Sequence, residues 1–236
     1  MLELKKINLE INKKIILNNI SFKINKWDIF NILGHNGSWK TSLLKSIIWL
    51  NKISWEVIYN NEDISDKDIS DRANMWISYI MQEIPEYTWI PVETYLKWIL
   101  KDKFNLENVS KLFEDFWLNY EVYKTRFFDS HLSGGERKKV EIITNFLMDK
   151  DLYLLDEIEA SLDATSRDVL IKLINEYNSL WKTFIIVSHS KDILEIADKW
   201  ILLCKWNVDW IWDNFNLLKK YFWSCDWCEW NKCNNK

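Results

Sequence analysis

Along the first part of the chain, apolar and polar positions trade places at short range, which favours strands over helices. Leu2-Glu-Leu-Lys-Lys-Ile-Asn-Leu alternates imperfectly, Ile15 to Ile24 carries β-branched residues, and Asp28-Ile-Phe-Asn-Ile-Leu33 reads as a short buried strand. The period then changes. Leu43, Leu44, Ile47 and Ile48 fall on one face of a helix predicted from Thr41 to about Leu50. Residues 56–80 alternate short strands with polar turns, and from about Glu83 to Leu147 the pattern turns helical and more polar, which predicts an inserted helical subdomain. Residues 152–155 form an all-apolar strand. A helix over 166–180, a strand over 183–188, a helix over 190–198 and a strand over 201–204 complete an α/β alternation. The stretch 223–236 is polar and cysteine-bearing and is expected to be a loosely held tail. There is no internal repeat and no low-complexity segment.

Composition narrows the classes. With 236 residues, 48% hydrophobic and 28% charged, the chain is long enough for a sizeable core. A formal net charge of −4 argues against a nucleic-acid binder held by bulk positive charge. The opening Met1-Leu-Glu-Leu-Lys-Lys lacks the basic-then-apolar layout of a secretion signal, and no apolar run approaches the ~18–20 residues that span a bilayer. A soluble, cytoplasmic chain is expected, with any membrane part supplied by another subunit.

Two counts are abnormal: 16 Trp against 4 Gly, where average usage of ~7% would give roughly 17 Gly. Trp27, Trp55, Trp181 and Trp206 stand at apparent turns and helix stops, where φ > 0 is often needed and Gly is favoured. Such positions suggest that many of these residues are glycine in the natural protein, through a UGA codon that the source reads as glycine. The 27 Lys against 4 Arg fit the AT-rich genome in which that reassignment is plausible. The alternative is a chain that is truly rich in tryptophan.

Three motifs carry chemistry. Gly34-His35-Asn36-Gly37-Ser38-Trp39-Lys40-Thr41 matches G-x-x-x-x-G-K-[ST] except at Trp39. In such a loop, backbone N–H groups and the following helix N-terminus surround phosphates; Lys40 would reach the β/γ-phosphates and Thr41 would bind Mg²⁺. The backbone there passes against the phosphates, so an indole at position 39 is expected to block the site. Leu152-Tyr-Leu-Leu-Asp156-Glu157 places two acids at the C-terminal edge of a buried strand, where an α/β sheet binds ligands. Asp156 would hold Mg²⁺ and Glu157 would act as general base. Leu132-Ser133-Gly134-Gly135-Glu136 opens a helix.

With Leu132–Glu136 lying between the phosphate loop and Asp156-Glu157 along the chain, these motifs resemble the ABC ATPases. The resemblance adds Gln82 as the Q-loop residue and a further Mg²⁺ ligand, Ser161-Leu-Asp163 as the D-loop, and His189 as the switch histidine. It implies a P-loop NTPase fold: a RecA-like α/β core over 1–82 and 148–222 with a helical ABC subdomain at about 83–147. It also implies a head-to-tail dimer that sandwiches two ATP molecules between each P-loop and the other copy's Ser133, Gly134 and Gly135. His35 and His131 are assigned no catalytic part. One departure is Ile11, at the position where the family often stacks an aromatic on adenine.

Within the ABC ATPases the linking stretches are most similar to the SUF iron–sulfur cluster assembly ATPases. They are Gln82-Glu-Ile-Pro-Glu-Tyr-Thr-Trp-Ile-Pro-Val-Glu-Thr-Tyr-Leu96, Asp71-Arg-Ala-Asn-Met-Trp-Ile, and Leu155 to Asp163 without a proline after Asp-Glu. That likeness implies a soluble SUF scaffold as partner; a transporter ATPase would instead meet a membrane subunit. Taken literally, Trp39 would make the chain a scaffold module without hydrolysis. In the tail, Cys225, Cys228 and Cys233 are spaced so that they could bind zinc or an iron–sulfur centre, with Cys204 a core residue rather than a fourth ligand. A flexible, reduced tail is the other possibility.

Overall fold

The computed structural model describes residues 1–34, 37, 39–50, 54–204 and 207–213. Two sheets form the frame. A four-stranded antiparallel sheet has the order β2-β1-β4-β5, from β1 (Leu2–Ile11), β2 (Lys14–Ile24), β4 (Ser54–Tyr59) and β5 (Glu62–Asp63). A six-stranded sheet has the order β10-β9-β3-β8-β7-β6, from β3 (Ile29–Leu33), β6 (Ile77–Ile80), β7 (Leu152–Asp156), β8 (Thr183–Val187), β9 (Lys199–Cys204) and β10 (Asn207–Trp212). All its pairings are parallel except β9 with β10.

The parallel strands read as unbroken apolar runs because both faces are covered. Successive side chains point to opposite faces. Tyr153 and Leu155 of β7, with Phe184 and Ile186 of β8, join one core cluster. Leu152, Leu154, Ile185 and Val187 join the other, with Leu43, Leu44 and Ile47 of α1 (Lys40–Ile47) and the antiparallel sheet. The first cluster also takes in α3 (Val92–Leu100), α4 (Leu106–Asp115), α6 (Gly134–Leu147) and α7 (Ala164–Ser179). The remaining helices are α2 (Ile69–Asn74), α5 (Tyr120–Tyr123) and α8 (Lys191–Ile196). Helices α3 to α6 all lie between β6 and β7 in the chain. No helix among the described residues is long and apolar enough to cross a membrane.

Several boundaries differ from the pattern-based ones. Helix α1 stops at Ile47 because Trp49 turns left-handed: Trp49 N–H donates to Ser46 O at 3.1 Å and Leu50 N–H to Lys45 O at 2.8 Å. Trp55 lies inside β4, which corrects its reading as a turn. Trp206 and the tail with Cys225, Cys228 and Cys233 lie outside the described residues.

Candidate functional site

The site forms at the C-terminal ends of β3, β7 and β8, where strand ends and helix starts converge. Strand β3 delivers Gly34, and after Gly37 at φ 85° the chain enters α1. His35, Asn36 and Ser38 of the loop lie outside the described residues. Trp39 is the N-cap of α1 at φ 65°, ψ 26°, with no side-chain cap. Its indole packs at the edge of the antiparallel-sheet cluster, with the Lys14 ammonium 5.3 Å from the ring centroid. It also lines a cavity of about 370 Å³ together with Gly37, Lys40, Thr41, Ser42, Gln82 and Glu157.

Polar groups meet in this cavity and in its neighbour of about 420 Å³, which Tyr79, Gln82 and Asp156 line. Lys40 Nζ donates to Gly34 O at 2.8 Å and lies 3.7 Å from Glu157 Oε1. Burial pulls the Lys40 ammonium below the usual lysine range, and the charges of Glu157 and Asp156 oppose that pull. Thr41 Oγ1 donates to Asp156 Oδ1 at 3.1 Å, and Tyr79 OH donates to Asp156 Oδ2 at 2.9 Å. Asp156 is fully buried. Burial pushes its carboxyl above the usual range, and the two hydroxyl donors work against that shift. Gln82 Nε2 donates to Glu157 Oε2 at 2.9 Å. Glu157 is left-handed, φ 48°, and its N–H donates to Val187 O at 2.9 Å, so the strand ends of β7 and β8 fix where its carboxylate starts. His189 follows β8. The residue is exposed, but desolvation by the surrounding chain, then the Lys40 charge, lowers its pKa and favours a neutral imidazole.

Residues far apart in sequence therefore stand together: Lys40, Thr41, Gln82, Asp156 and Glu157. The signature segment stands on other contacts. Ser133 caps α6 with a complete capping box: Glu136 N–H donates to Ser133 Oγ at 3.2 Å and Ser133 N–H to Glu136 Oε2 at 2.7 Å. Leu132 is buried beneath it, while Ser133 and Gly134 are exposed. A Cβ on Gly135 would meet Ser161 O at 3.2 Å, so the glycine lets α6 approach the D-loop. Asp163 caps α7, accepting from Ser166 N–H at 2.8 Å, and pairs with Lys139 at 3.0 Å. These contacts hold its carboxyl well below the usual range. His131 stays an exposed loop residue beside Asp129, and Ile11 is half exposed at the end of β1.

Sequence pattern missed three groups. Tyr79 sits in an alternating strand pattern that does not mark it, yet its hydroxyl serves Asp156. Glu159 is buried, takes a hydrogen bond from Ser188 next to His189, and has one oxygen, Oε2, without a partner among the described residues. Lys138 and Glu141 form a buried ion pair at 2.8 Å inside α6; their i,i+3 spacing was the available signal.

A family model described as ABC transporter matches residues 17–160, which includes the P-loop, Gln82, the signature and Asp156-Glu157. The chain belongs to the ABC transporter family. Its nucleotide-binding cassette is similar to an uncharacterized ABC transporter ATP-binding protein of Methanocaldococcus jannaschii, 26% identical over 217 residues, covering 88% of this chain and 87% of that one. It is also similar to the energy-coupling factor transporter ATP-binding protein EcfA2 of Clostridium perfringens, 32% identical over 208 residues, covering 81% of this chain and 70% of that one. Among solved structures, a bacterial ABC transporter cassette in dimeric form superposes with a TM-score of 0.80 at 20% identity, covering 90% of this chain and 98% of that one. The P-loop NTPase fold of the ABC cassettes is thereby shown.

Proposed function

We propose that this cassette binds and hydrolyses ATP as one half of a head-to-tail dimer. The observation that carries this is the convergence of Lys40, Thr41, Gln82, Asp156 and Glu157 on one pair of adjoining cavities. The donors available to a divalent cation are the Thr41 hydroxyl, the Asp156 carboxylate and the Gln82 carbonyl. That is an all-oxygen set of the kind Mg²⁺ takes, and it fits. When bound, Mg²⁺ would neutralise charge on the phosphates.

The chain's own residues would do the following. Lys40, now on Gly34 O and near Glu157, would take phosphate oxygens as its partners. Glu157, oriented by Gln82, would accept the proton of the attacking water. His189, exposed at the end of β8, would hold a hydrogen bond to the terminal phosphate. Ser133, Gly134 and Gly135 would cap the partner copy's ATP with a hydroxyl and bare amides at a helix N-terminus. The similarity to a cassette solved as a dimer supports that arrangement.

Position 39 conditions all of this. Trp27, Trp39, Trp49, Trp76, Trp89, Trp117 and Trp181 all have φ between 60° and 71°. Trp49, Trp117 and Trp181 each occupy the C′ position of a helix-ending Schellman pattern. Trp117 N–H donates to Glu114 O at 2.9 Å and Leu118 N–H to Phe113 O at 2.8 Å; Trp181 N–H donates to Asn178 O at 2.9 Å and Lys182 N–H to Tyr177 O at 3.1 Å. That is the position where Gly prevails. Trp200 differs: it is extended and buried, and its Nε1–H donates to Leu194 O at 3.2 Å. These geometries support reading the left-handed group, Trp39 included, as glycine in the natural protein and Trp200 as a true tryptophan. Intact mass of the protein from its native source counts the replaced positions, since each lowers the mass by the same step; a mass equal to that of the written sequence overturns the substitution.

For the partner, the relatives' names favour a membrane transport assembly, with this chain as its ATP-binding subunit. A second reading, a SUF-type assembly with a soluble scaffold, is favoured by the stretches around Gln82 and Ile158. Purification from the native source separates them: a multi-span protein recovered in detergent supports the first, a soluble scaffold without detergent the second. For the chemistry, Glu157→Gln in a Trp39→Gly background is expected to keep ATP binding, lose about 10²–10⁴-fold in turnover and accumulate an ATP-bound dimer on gel filtration. Unchanged turnover removes Glu157 from its role.

A further inference from the structure

Helix α6 begins with the signature residues and then sends two charged side chains inward. Lys138 is fully buried and Glu141 nearly so, in a helix whose other buried residues are Val140, Ile142, Ile143, Thr144 and Phe146. Burying two charges is expensive unless each also finds further hydrogen bonds. Here the Lys138 ammonium finds its further bond on a backbone carbonyl. Lys138 Nζ donates to Met81 O, and the Glu141 carboxylate holds that ammonium in place at 2.8 Å. The ion pair thus holds the carbonyl of the residue immediately before Gln82. Two neighbouring contacts extend the grip. Arg137 donates to Glu86 on the far side of Gln82, and Ser78 Oγ donates to Asn145 Oδ1 at 2.7 Å on the near side.

We infer that Lys138 and Glu141 are positioning residues that fix the backbone at Met81 and so set where the Gln82 side chain meets Glu157. Neither touches the cavities that Gln82 and Glu157 line. They act through one peptide unit, and they belong to the helix whose first turn, in the proposed dimer, faces the other copy's nucleotide. A shift of α6 would therefore be transmitted to Gln82 of its own site. This inference rests on the ATPase reading for its consequence, but its geometry does not.

The test uses the full chain carrying Trp39→Gly, with Lys138→Met/Glu141→Leu as the main variant. Removing both charges leaves no unpaired charge in the core, so this variant is expected to fold where Lys138→Met alone would strand Glu141. The first readout is hydrogen–deuterium exchange over residues 78–86. Faster exchange there, with protection of β7 and β8 unchanged, is expected; unaltered exchange at 78–86 overturns the clamp whether or not the chain hydrolyses ATP. The second readout is turnover. A misplaced catalytic group typically costs up to about 10²-fold, so kcat is expected to fall about tenfold to hundredfold with ATP affinity held within about twofold. The loss should vanish in a Gln82→Ala background. Losses that multiply with Gln82→Ala, or an unchanged kcat, overturn the positioning role. Absence of ATPase activity in the Trp39→Gly parent counts against the ATPase reading instead.

Discussion

Helices α1 and α6 both begin at loops that the proposed dimer sets against phosphate, yet their first residues differ in kind. At α6 the N-cap is Ser133 in an extended conformation, its side chain closes a capping box, and two glycines follow. Every feature there satisfies or bares backbone N–H groups. At α1 the N-cap is Trp39, left-handed, without a side-chain cap, and bearing the largest side chain available. The left-handed region favours glycine because a Cβ crowds the following carbonyl. The fold accepts both helix starts. What differs is access: a helix N-terminus is an anion site only when its amides can be approached. One loop keeps that access and the other carries an indole beside it.

The largest effect should follow from making the two starts alike. Trp39→Gly is expected to tighten ATP binding by about 100-fold or more, equivalent to roughly 2.7 kcal/mol, because phosphate then meets bare backbone instead of indole. Isothermal titration of ATP with Mg²⁺ into both forms measures it. Equal affinities would mean that the indole, held against Lys14, leaves the loop open.

A smaller effect is expected at the other start. Ser133→Ala removes the side-chain half of the capping box and should cost about 1 kcal/mol in urea unfolding of the isolated chain. In the dimer it also removes the hydroxyl offered to the partner's nucleotide, so turnover should fall more than that stability loss explains. Turnover that tracks stability alone would reduce Ser133 to a cap.

How much of this was legible beforehand follows from how local each signal is. The buried parallel strands were readable because they are apolar on both faces, and the acids ending β7 were readable because they interrupt that run. The end of α1 was not, since Ile48 and Leu50 continue the apolar pattern past a backbone reversal at Trp49. Tyr79 and Lys138 escaped for another reason. Each reaches its partner, Asp156 or Met81, across a fold that brings together positions 57 to 77 residues apart. No periodicity within one element encodes such a pairing. Trp55 shows the opposite error, a tryptophan next to a turn-like Ser that the antiparallel sheet absorbs into β4.

The comparison of the two helix starts leaves two effects of Trp39 mixed, blockage of the site and strain of its backbone. Helix ends far from any phosphate separate them. Trp117 is left-handed, φ 60°, three-quarters exposed, and ends α4. Relief of the left-handed conformation is worth roughly 1–2 kcal/mol, and the greater freedom of glycine in the unfolded chain takes back roughly 0.4–1 kcal/mol. Trp117→Gly is therefore expected to stabilise the protein by up to about 1 kcal/mol. Trp98 is similarly exposed but sits inside α3 and is not among the left-handed residues. There glycine costs helix propensity with no strain to relieve, so Trp98→Gly should destabilise by about 0.5 kcal/mol. Urea midpoints of the two variants decide by sign. Opposite signs leave strain as a general cost of the left-handed tryptophans and reserve blockage for Trp39. Two losses would mean that the chain carries its left-handed tryptophans without strain, and the case for glycine at those positions would fall with it.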